Sequence, residues 1–218
     1  MSEQEAEERA QFTLAMRARG IDDLRLLRAL ERAPRALFMP HRYADISGRD
    51  IALPIGCGQT SLPPSVVAAM IAALDPEPSH LVCEIGTGTG YCSALLAQLA
   101  NTVTSLERFQ TLAVEAEARI KAFGLANVTV HWLDGFDFHK TGGRFDRVIA
   151  HGLIEPPGEA FRALMAERGL LIAGVAGPDA CEQRIMRLES DEAGHFEAVD
   201  LGPARGMRPL ERGLARAL

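Results

Sequence analysis

The chain lacks the features that would anchor it in a bilayer, staple it with disulfides or draw it to nucleic acid. Its longest apolar run, Ser65–Leu74, falls short of the roughly 18 residues a membrane helix needs. The acidic start Met1-Ser-Glu-Gln-Glu5 argues against a basic targeting leader. Cys57, Cys83, Cys92 and Cys181 form no Cys-x-x-Cys pair, which predicts reduced, mostly buried thiols in the cytoplasm. The six histidines, His41, His80, His131, His139, His151 and His195, show no metal-binding spacing, so no metal is expected. Lysine and arginine total 23 against 29 aspartates and glutamates. The resulting charge of −6 repels a phosphate backbone, and no nucleic-acid or membrane partner is expected.

What is present suffices for an ordinary globular core. At 218 residues and 47% hydrophobic, a chain of this size buries roughly 70% of its unfolded surface. Pro76-Glu-Pro78-Ser79 divides it into two regions, 1–75 and 76–218, that together form one compact unit. The first reads as helical. Phe12 and Met16 share a face, and Asp22 or Asp23 caps a helix that carries Leu24, Leu27 and Leu30 and stops near Pro34. A third helix follows Pro64, while Asp50–Pro64 reads as an ordered loop and residues 1–10, by composition, as disordered.

The second region alternates strand and helix patterns. Strands are predicted at Leu81–Ile85, Thr102–Leu106, Val128–Leu133, Phe145–Ala150 and Gly169–Val175. Helices are predicted at Tyr91–Ala100, Gln110–Phe123 and Gly158–Glu167. Arg184–Leu188 and Phe196–Leu201 flank the turn Ser190–Gly194 as an antiparallel hairpin. The expected fold is therefore α/β: a doubly wound, mostly parallel seven-stranded sheet with an N-terminal helical extension and a C-terminal hairpin. Arg205, Arg208, Arg212 and Arg216 recur every three or four residues, as on a helix with a basic face or across a strand.

The densest chemical signal is Cys83-Glu84-Ile85-Gly86-Thr87-Gly88-Thr89-Gly90-Tyr91, at the end of the first strand. Glycines at 86, 88 and 90 permit a tight turn and close approach to a ligand. Their spacing suits neither a dinucleotide pyrophosphate nor a nucleoside triphosphate. Glu107 ends the second strand 21 residues after Gly86, near the roughly 20-residue offset at which an acid accepts ribose hydroxyls. Asp134-Gly135 follows the third strand, within reach of an adenine amino group. Three strand ends thus outline a nucleoside pocket.

These residues resemble the class I S-adenosylmethionine-dependent methyltransferases, whose sheet is Rossmann-like. The N-terminal region narrows the likeness. Ala33-Pro-Arg35, Phe38-Met-Pro40 and above all Leu53-Pro54-Ile55-Gly56-Cys57-Gly58-Gln59-Thr60 resemble the protein-L-isoaspartate O-methyltransferase family over about residues 20 to 175, with Gly206–Leu210 resembling its closing strand. The resemblance implies S-adenosylmethionine as cofactor, held by Glu84, Gly86, Thr87, Gly88, Gly90, Tyr91, Glu107, Asp134 and Gly135. It implies a substrate loop with Pro54, Ile55, Gly56 and Gln59, joined by His151, and isoaspartyl proteins or peptides as partners. Thr60 and Ser61 are the candidate reaction-centre hydroxyls, Ser61 alternatively capping the helix at Pro64.

Two departures stand out. The family usually continues Gln-Thr-Ile-Ser, whereas this chain reads Gln59-Thr60-Ser61-Leu62, so Leu62 occupies the serine's place. The segment after the fourth strand is Ala150-His-Gly-Leu-Ile-Glu-Pro-Pro157 instead of a Thr-Ala-Ala-Ala-Pro-Glu run. Three readings stay open: carboxyl methylation of isoaspartyl residues, methylation of another carboxylate or small molecule, and a catalytically silent cofactor-binding regulator. A carboxylate is already ionised at neutral pH, so the first needs no general base. His151 becomes relevant as a base if the acceptor is a hydroxyl or amine.

Overall fold

The computed structural model describes residues 3–140, 143–155, 159–177, 179, 182–190 and 196–217. Helices α1 (Glu3–Arg17) and α2 (Leu24–Arg32) open the chain. A small hairpin of β1 (Leu53–Pro54) and β2 (Thr60–Ser61) follows, then α3 (Pro64–Leu74). The alternating part runs β3 (Leu81–Ile85), α4 (Tyr91–Leu96), β4 (Thr102–Glu107), α5 (Gln110–Phe123) and β5 (Val128–Trp132). It continues with β6 (Phe145–Ile154), α6 (Glu159–Leu164), β7 (Met165–Val175), β8 (Arg184–Ser190) and β9 (Phe196–Pro203).

The larger sheet has seven strands in the order β5-β4-β3-β6-β7-β8-β9. The first five in that order pair in parallel, and β8 and β9 add antiparallel. β3 lies between β4 and β6, so the winding reverses there, and the crevice beyond such a switch point is where an α/β sheet takes its ligand. Both sheet faces are covered, which is why the central strands read as near-continuous apolar runs. Val82, Ile149 and Ile172 face the helices α2, α3 and α4, in one core with Leu26, Leu30, Phe38 and Leu95. Cys83, Val148, Ala150 and Leu171 face the other way, toward Phe161, Leu164 and Met165. The N-terminal region therefore shares its core with the sheet.

Local signals explain the helix starts. Asp23 caps α2 by accepting from the Arg25 amide at 2.7 Å, and Pro64 opens α3 where its missing N–H costs nothing. Several expectations need correction. Residues 3–10 are helical, as the start of α1. Leu24 is exposed, and the buried face of α2 is Leu26, Leu27, Ala29 and Leu30. α4 ends at Leu96, with Ala97 and Ala100 continuing only as hydrogen-bonded turns. α6 stops at Leu164 and β7 begins at Met165, earlier than Gly169, because Met165 pairs with Phe145 across the sheet. The Asp50–Pro64 loop contains the β1–β2 hairpin. The C-terminal arginines lie on an extended segment that bridges to Leu153 and Phe109, not on a helix. Cys181, His195, Pro156, Pro157 and the hairpin turn at 191–194 lie outside the described residues.

β6 also runs four residues past its predicted end. Its register with β7 jumps between Ala150 and Leu153, so His151 and Gly152 form an irregularity where the strand meets the crevice. Such bulges re-aim side chains, and this one lies beside the glycine turn. Among the described residues no helix is long and apolar enough to cross a membrane.

Candidate active site

A cleft opens over the carboxyl ends of β3, β4, β5 and β6. Its walls include Gly86 and Gly88 from the first strand end, Glu107 from the second and Asp134 and Gly135 from the third. Ile55, Gln59 and Thr60 of the N-terminal loop and His151 of the β6 irregularity also line it. The sequence-predicted tips thus share one space.

The turn after β3 is built by backbone conformation. Gly86, Gly88 and Gly90 have φ values of 92°, 56° and 85°, a region L side chains rarely adopt. A Cβ on Gly88 would lie 3.3 Å from Ile55 Cδ1, so the glycine also lets the loop close on the turn. The Gly88 amide donates to Glu107 Oε2 at 2.9 Å, and the Phe109 amide donates to Oε1 at 3.0 Å. Two amides therefore fix this carboxylate, which is only 4% exposed. Burial pushes the Glu107 pKa up, and the amide hydrogen bonds oppose that rise. Asp134 is held the same way: the Phe136 amide donates to Oδ1 at 2.9 Å and the Gly213 amide to Oδ2 at 2.6 Å.

Glu84 lies deeper. It is fully buried, with Oε2 accepting from the Ser93 and Ser105 hydroxyls, while Ser105 and Thr87 share a 2.6 Å hydrogen bond. Oε1 lies 3.0 Å from His151 Nε2. Glu84, Thr87, Tyr91 and Ser61 line a smaller adjoining cavity, and Thr60 and His151 border both spaces. Pro54, Gly56 and Gly90 line neither. Pro54 pairs with Thr60 in the hairpin, and Gly56 and Gly90 pack closely against α5 through Leu112 and Ile120.

The Ser61 hydroxyl does not cap α3; the Ser65 amide there donates to Asp50 instead. Ser61 Oγ accepts from Arg35 Nη2 at 3.1 Å. Arg35, 3% exposed, also donates to the carbonyls of Ile51 and Leu62, both at 3.0 Å. Burial lowers its pKa, with Tyr91 and Asp50 acting in the opposite sense. It pins the loop that carries Thr60 and Ser61. The sequence motif around Arg35 carries no sign of this task, because its partners are mostly carbonyls, which no motif encodes.

The C-terminal wall was also missed. Arg208, Pro209, Leu210 and Glu211 line the cleft, and the segment beyond them bonds to the Arg108, Gln110 and Thr111 backbone. Phe109 and Phe136 add aromatic surface, the latter under Arg212 at 4.3 Å. The fold brings Glu84, Cys92 and His151 within 4.8 Å of one another, a juxtaposition from three elements that spacing could not reveal. Those groups are hydrogen-bonded among themselves through Glu84.

Comparison with known proteins gives a consistent result. Relatives from Rhodopseudomonas palustris (strain BisA53) and Azorhizobium caulinodans, each named protein-L-isoaspartate O-methyltransferase, are 42% and 41% identical over 211 and 220 residues. The alignments cover 97% of both chains in the first case, and 100% of this chain and 99% of the relative in the second. A Plasmodium falciparum crystal structure assigned as protein-L-isoaspartate O-methyltransferase, in complex with S-adenosyl-L-homocysteine, superposes with a TM-score of 0.79 at 19% identity. That match covers 92% of this chain and 97% of the other. Residues 7–205 match the model of the protein-L-isoaspartate(D-aspartate) O-methyltransferase family, and the chain belongs to that family.

Proposed function

We propose that the protein carries out the reaction for which its family is named, methylating the free carboxylate of L-isoaspartyl residues in proteins and peptides with S-adenosylmethionine as donor. The observation that carries this reading is the convergence of Gly86–Gly88, Glu107 and Asp134 on one cleft whose other wall is the loop bearing Thr60.

The donor set fits an adenosine-bearing molecule. Glu107 and Asp134 are two ionisable acceptors at neighbouring strand ends, each already oriented by backbone amides. Glu107 would accept the ribose hydroxyls, and Asp134 with Gly135 would meet the adenine edge against Phe136 and Leu133. Gly86, Thr87, Gly88, Gly90 and Tyr91 form the turn that admits the amino-acid portion. Glu84 supports that turn from below. When bound, S-adenosylmethionine supplies a sulfonium-activated methyl group and departs as a neutral thioether.

The chain's own residues have three tasks. Pro54, Ile55, Gly56 and Gln59 shape the loop that holds the acceptor and excludes water. Thr60 donates its hydroxyl to the acceptor carboxylate, with Ser61 held behind it by Arg35. No side chain needs to remove a proton, because the acceptor is ionised at neutral pH. Rate acceleration then comes from holding oxygen and methyl carbon in line, an effect able to supply about 7–11 kcal/mol. Residues 1–75 bring the substrate loop and residues 76–218 bind the donor. We place the activity in the cytoplasm, a reducing compartment that suits the buried thiols of Cys83 and Cys92.

The test uses methyl-labelled donor with an isoaspartyl peptide and its normal-aspartyl twin. Selective labelling of the isoaspartyl peptide is expected. Labelling only of some other carboxylate or small molecule would favour the departure at Leu62 and His151, and donor binding without transfer would make the protein a regulator.

A further inference from the structure

We propose that His151, anchored on Glu84, supplies the positively charged hydrogen-bond donor that grips the acceptor carboxylate in this chain. This rests on the carboxyl methyltransferase reading above and names a specificity-determining residue within that site.

Position comes first. The irregularity between Ala150 and Leu153 places His151 at the mouth of β6, and its ring borders both the main cleft and the smaller cavity. Thr60 borders the same two spaces, whereas Glu107 and Asp134 line the main cleft alone. His151 is therefore on the substrate-loop side of the site.

Charge follows from its partner. Glu84 is a fully buried carboxylate, and its other contacts, Ser93, Ser105 and Cys92, are neutral hydrogen-bonding groups. A buried carboxylate without a counter-charge is costly, and His151 is the group in contact with it that can carry one. With Nε2 at 3.0 Å from Glu84 Oε1, Nδ1 is left without a protein partner among the described residues. In the imidazolium form that nitrogen is a donor.

The neighbouring cations, Arg108 and Arg208, line the main cleft and not the smaller cavity. Arg108 pairs with Glu211 and donates to the Gly213 carbonyl, and Arg208 donates to the Gly58 carbonyl. Ser61 Oγ is engaged by Arg35, and Leu62 is apolar and buried. Of the side-chain donors, Thr60 and His151 border both spaces and so are placed to meet an incoming carboxylate. The titratable and charged groups facing this arrangement are Glu84 on β3, Tyr91 and Cys92 on α4, Glu107 and Arg108 at the end of β4, Asp134 after β5, and Arg208 and Glu211 on the C-terminal segment.

His151→Gln keeps an N–H for Glu84 and removes the charge. Its KM for the isoaspartyl peptide is expected to rise about tenfold or more. Turnover at saturation should stay within about twofold, and affinity for S-adenosylhomocysteine should not change. A second measurement reads charge selectivity: inhibition by the neutral isoasparaginyl peptide should be the same in wild type and His151→Gln while the isoaspartyl KM rises. An active His151→Gln variant whose isoaspartyl KM does not rise, or rises together with the inhibition constant of the neutral peptide, overturns the role of His151. A wild type that binds the donor and labels no isoaspartyl peptide overturns the functional reading, and this inference with it.

Discussion

The Gly88 amide and Glu107 Oε2, 2.9 Å apart, tie the turn after β3 to the end of β4. Through that bond, the strand tip proposed to meet the amino-acid end of the donor orients the carboxylate proposed for its ribose. Glu107→Gln preserves size but replaces two acceptor oxygens with one. Affinity for S-adenosylhomocysteine should fall about tenfold to a hundredfold, measured by calorimetry.

The same carboxylate makes ligand-free stability pH-dependent. Burial raises its pKa in the folded state, so its protonated form is favoured there. Its contribution is fully present below the unfolded value of about 4.3 and is lost as pH rises through the folded value. Thermal melts of the ligand-free protein should show this loss above that value, and Glu107→Gln should remove it.

Gly135 packs where no side chain fits. A Cβ there would lie 2.6 Å from Ile85 Cγ2, forcing the third strand tip away from the first. Gly135→Ala should cost about 1–3 kcal/mol in denaturant unfolding and weaken donor binding. Combining it with Ile85→Ala should give less than the sum of the two losses.

Thr60 is tested through chemistry separated from donor binding. Valine keeps the β-branched shape that β2 requires and removes only the hydroxyl. Thr60→Val should lower turnover about tenfold with donor affinity unchanged. Unchanged turnover would take Thr60 out of the reaction centre.

Much of this architecture was legible in local patterns. β3, β4 and β5 are bounded by turn residues and lie within a residue or so of their predicted spans, and Gly124 stops α5 with a φ of 85°. Glu107 and Asp134 were readable because the doubly wound fold places ligand contacts at strand ends. Other features depend on partners distant in sequence. Met165 continues the helical spacing of Phe161 and Leu164, yet pairing with Phe145 draws it into β7. Residues 3–10 look too polar to fold alone, and α1 packs onto α2 through Phe12 and Met16. The Glu84–His151 contact joins residues 67 positions apart, and the Asp134–Gly213 bond joins residues 79 apart. No short motif records either.

The proposed activity requires a single donor site formed by the three strand tips. Calorimetric titration with S-adenosylhomocysteine should give one site per chain, weakened by Glu107→Gln and by Gly135→Ala, and left intact by Thr60→Val. Absence of binding to the wild-type protein, or binding indifferent to both strand-tip substitutions, would contradict it.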